Sequence, residues 1–92
     1  MAKMLQDINM GRNLRRLRKM RGLKQKDVCA RMDFIGRPML RSTYGHIEAG
    51  SRNIFVSDLV ALREVFSVNY EEFFKDLTPV NRYETEEKEN DK

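Results

Sequence analysis

Residues 11–28 read GRNLRRLRKMRGLKQKDV and carry the clearest helical pattern of the chain. Starting one residue before this stretch, apolar side chains recur at Met10, Leu14 and Leu17. This i, i+4, i+7 spacing is that of one face of a helix, and the basic residues between these positions fall on the other faces. The spacing therefore predicts a first helix over about residues 9–21.

A second pattern of helical spacing opens at Gln25 and predicts a helix that ends at Met32 or at Phe34. Gly36 and Pro38 then break the chain, because glycine favours helix ends and proline disfavours helical backbone in the residue before it. Two short helices joined through a glycine-containing break suggest a helix-turn-helix unit.

Three helices are predicted from this break to the end of the domain. One covers about residues 40–48, with Tyr44 and Ile47 turned inward, the next covers about 57–66, and the last begins at Asn69. No stretch shows the alternation of apolar and polar residues that is typical of a strand. The sequence thus predicts an all-α domain of five helices without a sheet.

The composition limits the functions open to the chain. It has 92 residues, which is enough for one small domain, and its single Cys and single His exclude a disulfide framework and the common zinc sites. We therefore expect no cofactor and no metal, and Cys29 is expected to be a structural thiol. Ser42 and His46 share a helix face, but no orienting acid or oxyanion donor accompanies them, so we expect no enzyme.

Charge is distributed unevenly along the chain. Residues 1–52 contain 13 Lys and Arg against 4 Asp and Glu, a net charge of +9, whereas residues 53–92 contain 5 against 10, a net charge of −5; the two add to the overall +4. A strongly basic half attracts polyanions, and nucleic acid is the commonest such partner because clustered cations displace its counterions. A solvated basic helix without a partner is the alternative.

The remaining segments set the expected boundaries. Residues 78–92 are rich in acidic and polar residues, which predicts a disordered acidic tail; residues 1–8 form an N-terminal extension and residues 9–77 the domain. The first ten residues lack the apolar core of a secretory signal, and no apolar run approaches the ~20 residues of a membrane span. A soluble cytoplasmic protein without a membrane partner is expected.

Three runs of sequence resemble one known family. They are the stretch 11–28 already quoted, RSTYGHIEAGSRN at 41–53 and DLVALREVFSVNYEEFF at 58–74. Together they resemble the Cro/phage-repressor type of helix-turn-helix domain, also called the XRE family, over about residues 9–75. The resemblance implies a five-helix fold whose third helix enters the major groove of double-stranded DNA. It also implies a repressor-like transcriptional regulator that binds near-palindromic sites as a homodimer.

The same resemblance assigns roles to individual residues. The groove-facing positions, which would contact bases, are Arg41, Ser42, Thr43 and His46. The positions that would hold backbone phosphates are Lys24, Gln25, Ser51, Arg52 and Asn53. A structural pair between Arg18 and Glu48 would link the first helix to the end of the third. The periodicity agrees independently for positions 42, 43 and 46, which lie opposite the inward side chains.

The C-terminal part of the domain supplies the expected dimer surface. Tyr70, Phe74 and Leu77 are the candidate contacts, while the adjacent Phe73 is expected in the core. An alternative function stays open: an antitoxin-like or adaptor module could bind a protein through this C-terminal region, with DNA binding secondary.

The sequence departs from the family pattern between the second and third helices. The link over residues 33–39 makes this part five residues longer than usual, so the second helix runs on or the link forms a separate excursion. Arg37 on this link either reaches a phosphate or is solvated. Leu40 stands where a capping Ser or Thr is usual, so Ser42 either caps a later helix start or contacts a base.

Overall fold

A computed structural model describes residues 3–4 and 9–80 of the chain. Within this part the elements follow in the order β1 Lys3–Met4, α1 Gly11–Met20, α2 Gln25–Ile35, α3 Arg41–Glu48, β2 Ile54–Phe55, α4 Val56–Phe66 and a 3-10 helix Tyr70–Phe73. The predicted tail lies outside the described residues from position 81 onward. Among the described residues, none of the helices combines the length and the hydrophobicity of a membrane span.

The all-α prediction holds for four helices, but the fifth α-helix and the absence of strands were wrong. The fifth helix is replaced by one 3-10 turn, Tyr70–Phe73, in which only Phe73 is fully buried. Three residues later, Asp76 adopts the left-handed backbone conformation, with a φ of 61°. Because only one side chain of this segment is buried, a single turn is enough to place it in the core. The strands β1 and β2 form an antiparallel pair of two residues each, too short to show alternation.

One hydrophobic core joins all four helices. It contains the predicted first-helix residues Met10, Leu14 and Leu17, which are buried together with Tyr44 and Ile47 of α3. The α4 and 3-10 segments close it through Phe66 and Phe73, whose ring centroids lie 6.5 Å apart. The inward positions predicted from the spacing are therefore confirmed, and they fix which face of α3 points outward.

The longer link between α2 and α3 forms because α2 runs on. The helix extends to Ile35, and Gly36 ends it with a φ of 95°. The amide of Arg37 then donates to the carbonyl of Met32 at 2.9 Å, which is the reversed-turn pattern of a helix C-terminus. Of the two alternatives for the link, an extended second helix is the correct one.

Arg37 is not simply solvated, so that alternative was wrong, and its guanidinium is held within the molecule. Its Nε donates to Oδ1 of Asp58 at 2.7 Å, and its guanidinium lies 5.7 Å from the ring centroid of Phe55. The other carboxylate oxygen of Asp58 accepts the amide of Phe55 at 3.1 Å and so caps α4. One buried carboxylate thus ties the link to the start of α4.

Candidate nucleic-acid interface

The faces of α3 separate polar from apolar side chains. Arg41, Ser42 and His46 are exposed and Thr43 is half-buried, whereas Tyr44 and Ile47 are fully buried. The helix begins at Arg41 with Leu40 as an extended N-cap residue that makes no side-chain capping bond. Ser42 therefore does not cap the helix, and its hydroxyl is available on the outer face.

Leu40, which from the sequence was expected only to be a poor cap, lies at the start of this edge. It is 73% exposed immediately before Arg41. Its exposure follows from the extended link, because the inward positions of α3 are already taken by Tyr44 and Ile47. The outer edge of α3 thus starts with an apolar side chain followed by a cation.

A buried ion pair fixes α3 against α1. Glu48 accepts two hydrogen bonds from Arg18, Nη2 to Oε1 at 2.8 Å and Nε to Oε2 at 3.0 Å. Arg18 also donates to the carbonyl of Leu23 at 2.9 Å, beyond the end of α1. The pair implied by the family resemblance is present, and it keeps the only acid of α3 turned away from the outer face.

The electrostatics of this pair favour its charged form. Burial alone raises the pKa of Glu48, but the Arg18 hydrogen bonds and charge, with the polar groups of Tyr44 and Gln25, lower that pKa below its ordinary value. The hydrogen bond to Glu48 raises the pKa of Arg18 in turn. Burial, and then the Glu48 charge, raise the pKa of the Tyr44 phenol. Both members of the ion pair are therefore charged at neutral pH.

The start of α2 lies directly beside α3. A Cβ added at Gly45 would lie 3.4 Å from Oε1 of Gln25, so the two helices approach closely at this point. Exposed Lys24 precedes the helix, and its amide donates to Oδ2 of Asp27 at 2.8 Å. Asp27 was missed in the sequence analysis, although its place three residues after Lys24 is the spacing of a capping carboxylate.

The other flank of α3 is the turn that contains Ser51, Arg52 and Asn53. The Ser51 amide donates to the His46 carbonyl at 3.0 Å, and the Ser51 hydroxyl lies 3.2 Å from Nδ1 of the His46 ring. Ser51 and Arg52 are exposed, and Asn53 is half-buried. The structure therefore brings a predicted phosphate contact, Ser51, against a predicted base contact, His46.

Several basic residues of the first half make hydrogen bonds to other parts of the chain. Arg12 donates to the carbonyl of Asp76 at 3.4 Å, and Arg21 donates to the carbonyl of Phe66 at 2.7 Å. Arg16 donates to the carbonyl of Glu72 at 3.2 Å. Part of the net charge of +9 therefore comes from arginines that connect different segments of the chain. Among the exposed cations, Lys24, Lys26 and Arg41 lie at the helix starts nearest the candidate interface.

The remaining candidates belong to elements other than α3. Tyr70 is exposed with the Arg63 guanidinium 4.9 Å from its ring centroid, Phe74 is exposed, and Leu77 is half-buried against the core. Cys29 is half-buried, and burial raises the pKa of its thiol, although the Arg41 charge opposes this. The described residues contain no group of three or more His, Cys, Asp or Glu side chains placed to hold a metal ion.

Comparison of the sequence with models of known protein families identifies one family. A family model described as a helix-turn-helix domain matches residues 9–72, which include all four α-helices. Comparisons with curated proteins and with solved structures return no match. The matched family is one of the XRE-like group of helix-turn-helix domains, in agreement with the resemblance noted in the sequence. The chain therefore belongs to the helix-turn-helix domain family.

Proposed function

We propose that this protein is a sequence-specific DNA-binding transcriptional regulator of the repressor-like type, which reads the major groove with α3 and binds as a dimer. The observation that carries the proposal is the division of α3 into a buried apolar face and an exposed edge that begins at Arg41. An exposed polar edge at the start of the second helix of the unit is where helix-turn-helix domains contact bases.

The side chains of this edge suit base recognition. Arg41 suits bidentate hydrogen bonds to guanine N7 and O6, and the hydroxyls of Ser42 and Thr43 bond bases or phosphates. His46 donates or accepts from the last outward position of the helix. Leu40, exposed beside Arg41, suits contact with a thymine methyl group. We propose these residues as the specificity-determining set.

The segments that flank α3 would hold the DNA phosphate backbone on both sides of this helix. Lys24 and Gln25 stand at the start of α2, which approaches α3 at Gly45, and the turn 51–53 packs on His46. Phosphate contacts at these two places would set the position of α3 without adding sequence preference. Because Glu48 is held by Arg18, it does not oppose the approach of the phosphates.

The test compares two arginine variants by fluorescence anisotropy with a selected duplex and random duplex over a range of salt. The wild type should bind the selected site about 10³-fold or more tightly than random duplex. Arg41→Ala should relax preference at one base pair, with a loss of ~1–3 kcal/mol, whereas Arg52→Ala should weaken all duplexes alike. Lys19→Ala, an exposed change on α1, is the matched control and should leave both affinities near those of the wild type.

Two outcomes would contradict the proposal. If Arg41→Ala leaves the base preference unchanged, α3 is not docked as proposed. If binding is insensitive to salt, phosphate contacts do not drive it. The dimer is tested with two half-sites about one helical turn apart, ~34 Å; a shift of half a turn should abolish cooperative binding.

An adaptor or antitoxin-like role is the second candidate, and one observation favours it. Phe34 is 93% exposed and is not among the expected dimer contacts, and a large apolar side chain on the surface is typical of a contact with another protein. The anisotropy titration discriminates, because an adaptor should show no preference among duplexes. Deletion of residues 79–92 should preserve DNA binding in a regulator, but remove partner binding in an adaptor that uses its C-terminal region.

A further inference from the structure

The C-terminal end of α3 carries a small hydrogen-bonded unit made by His46 and Ser51. Gly50 adopts the left-handed backbone conformation, with a φ of 80°, and so reverses the chain after the last turn of the helix. The Gly50 amide donates to the carbonyl of Ile47 and the Ser51 amide donates to the carbonyl of His46, each at 3.0 Å, which is the pairing of a Schellman motif. This turn places the Ser51 side chain beside the His46 ring.

The Ser51 hydroxyl makes two contacts with His46. Its oxygen lies 3.2 Å from the backbone carbonyl oxygen of His46 and 3.2 Å from Nδ1 of the ring. A carbonyl oxygen only accepts, so a hydrogen bond to it requires the hydroxyl proton. Because that proton is then committed, the hydroxyl oxygen accepts from Nδ1, and Nδ1 carries the ring proton. This is the one proton arrangement in which both contacts are hydrogen bonds.

The opposite arrangement leaves one of the two contacts unfavourable. If the hydroxyl donated to Nδ1, its lone pairs would face those of the His46 carbonyl oxygen at 3.2 Å without a proton between them. A neutral imidazole carries one N–H, so a proton on Nδ1 leaves Nε2 as an acceptor. His46 is exposed on the outer edge of α3, so this acceptor belongs to one of the side chains proposed to meet the bases.

We infer that Ser51 fixes His46 as a hydrogen-bond acceptor, so that His46 reads the amino group of an adenine or a cytosine in the major groove. The inference rests on the proposed function and narrows it, because an unconstrained histidine both donates and accepts. Adenine N6 and cytosine N4 are the donors that bases present in this groove, whereas guanine N7 and O6 and thymine O4 are acceptors. An acceptor at Nε2 therefore disfavours guanine and thymine at the position that it contacts.

Ser51 is a positioning residue in this scheme rather than a phosphate contact. Its amide and its hydroxyl both donate to the His46 carbonyl, so its hydrogen-bond donors are used within the chain. The two roles predict different effects of Ser51→Ala. Loss of a phosphate contact weakens binding to all duplexes by the same factor, whereas release of the ring lowers the preference for the amino-bearing base.

The first experiment locates the ring proton in the full chain without DNA. His46 is the only histidine of the chain, so its two ring nitrogens give the only imidazole signals in a long-range proton–nitrogen NMR spectrum. At about pH 8, where an ordinary histidine ring is neutral, Nδ1 should be protonated and Nε2 unprotonated. Ser51→Ala should shift both signals toward a mixture of the two tautomers, and Ser51→Thr, which keeps the hydroxyl, should restore the wild-type pattern. Ser57→Ala, a change of an exposed serine on α4, is the matched control and should leave both signals unchanged.

The second experiment removes the amino group from the DNA. The base pair that His46 reads is the one at which His46→Ala loses its preference in a scan of the selected duplex. An analogue of the adenine or cytosine there, with hydrogen in place of the amino group, should weaken wild-type binding about 2- to 12-fold, which corresponds to one hydrogen bond. The same analogue should not weaken binding by His46→Ala. Ser51→Ala should lose part of this discrimination, and Ser51→Thr should regain it.

Four outcomes would overturn the inference. They are a wild-type ring protonated mainly on Nε2, ring signals that Ser51→Ala leaves unchanged, an analogue that the wild type binds as tightly as the natural duplex, and a Ser51→Ala variant that weakens binding to all duplexes by one factor. A wild type without any sequence preference would overturn the proposed function and this base contact together. The NMR spectrum distinguishes that failure from a wrong tautomer, because it is recorded without DNA.

Discussion

Two junctions of α1 use the same residue types with very different burial. At the α1–α3 junction, Arg18 and Glu48 meet at 2.8 Å with side chains 12% and 5% exposed. At the junction of α1 with the C-terminal segment, Arg16 and Glu72 meet at 3.6 Å with side chains 37% and 33% exposed. A buried charge without its partner is costly, while an exposed pair is screened by water. The first junction therefore positions α3, and the second adds little by its charges.

The largest expected effect is at the buried junction. Glu48→Ala leaves Arg18 without its carboxylate and should lower the free energy of unfolding by about 3–5 kcal/mol, measured by urea denaturation. Glu72→Ala is the matched control at the exposed junction and should cost less than about 1 kcal/mol. Equal losses in the two variants would show that burial does not distinguish the junctions.

The backbone contact at the same junction gives the next effect. A Cβ on Gly11 would overlap the carbonyl group of Glu48, so Gly11→Ala should push α1 away from α3 and cost about 3 kcal/mol. Gly22→Ala is the control: nothing lies within 4 Å of its added Cβ, but its φ of 69° strains alanine, so about 1 kcal/mol is expected. Thermal unfolding of both variants measures the difference. A smaller loss for Gly11→Ala than for Gly22→Ala would contradict the close approach.

The α1–α3 junction was largely predictable from the sequence, and the C-terminal junction was not. Apolar spacing located α1 and the buried face of α3, because one periodic face must be buried in a small domain. The Arg18–Glu48 pair came only from the family resemblance. At the C-terminal junction, Arg12, Arg16 and Arg21 donate to backbone carbonyls, which every residue carries, so no sequence letter marks the acceptor.

The candidate site also contains features that the sequence predicts and features that it does not. The outward edge of α3 followed from the inward positions of Tyr44 and Ile47. The roles of Arg37 and Asp58 did not, because their contact joins residues 21 positions apart and depends on how the link folds. The 3-10 turn at Tyr70–Phe73 was missed because a short apolar pattern fits both a turn and a full helix.

Asn13 connects α1 to the C-terminal segment by two hydrogen bonds, and its substitution tests how that junction is held. It is buried, and its side-chain amide donates to the carbonyls of Phe73 and Lys75, each at 2.9 Å. Asn13→Ala should leave both carbonyls without this donor and cost about 2 kcal/mol in urea denaturation. Asn69→Ala, at an exposed position whose side chain makes no capping bond, should be near neutral. A neutral Asn13→Ala would mean that carbonyl contacts do not hold the segment.

Acid should act on the first junction through Glu48. Because the folded state lowers the pKa of this carboxyl, its contribution to stability is complete above the ordinary value of about 4.3 and is lost as pH falls through the lower folded value. Urea denaturation between pH 7 and pH 3 should therefore show a falling free energy of unfolding in the wild type. The free energy of unfolding of Glu48→Gln should be lower at pH 7 and should fall less steeply as the pH is lowered. Parallel curves would exclude Glu48 as a source of the acid sensitivity.

The smallest effect is expected for the exposed ion pair itself. Arg16→Ala removes the 3.6 Å contact with Glu72 and one hydrogen bond to its carbonyl, and should cost about 0.5–1 kcal/mol at low salt. The part that arises from charge should disappear in 1 M salt, where the screening length is about 3 Å. Arg15→Ala, on the exposed side of the same helix, provides the reference for losing one arginine. If the Arg16→Ala loss persists unchanged in high salt and exceeds that of Arg15→Ala, the carbonyl hydrogen bond rather than the ion pair holds this end of α1. Both junctions of the helix would then depend on directed hydrogen bonds, with burial setting only their strength.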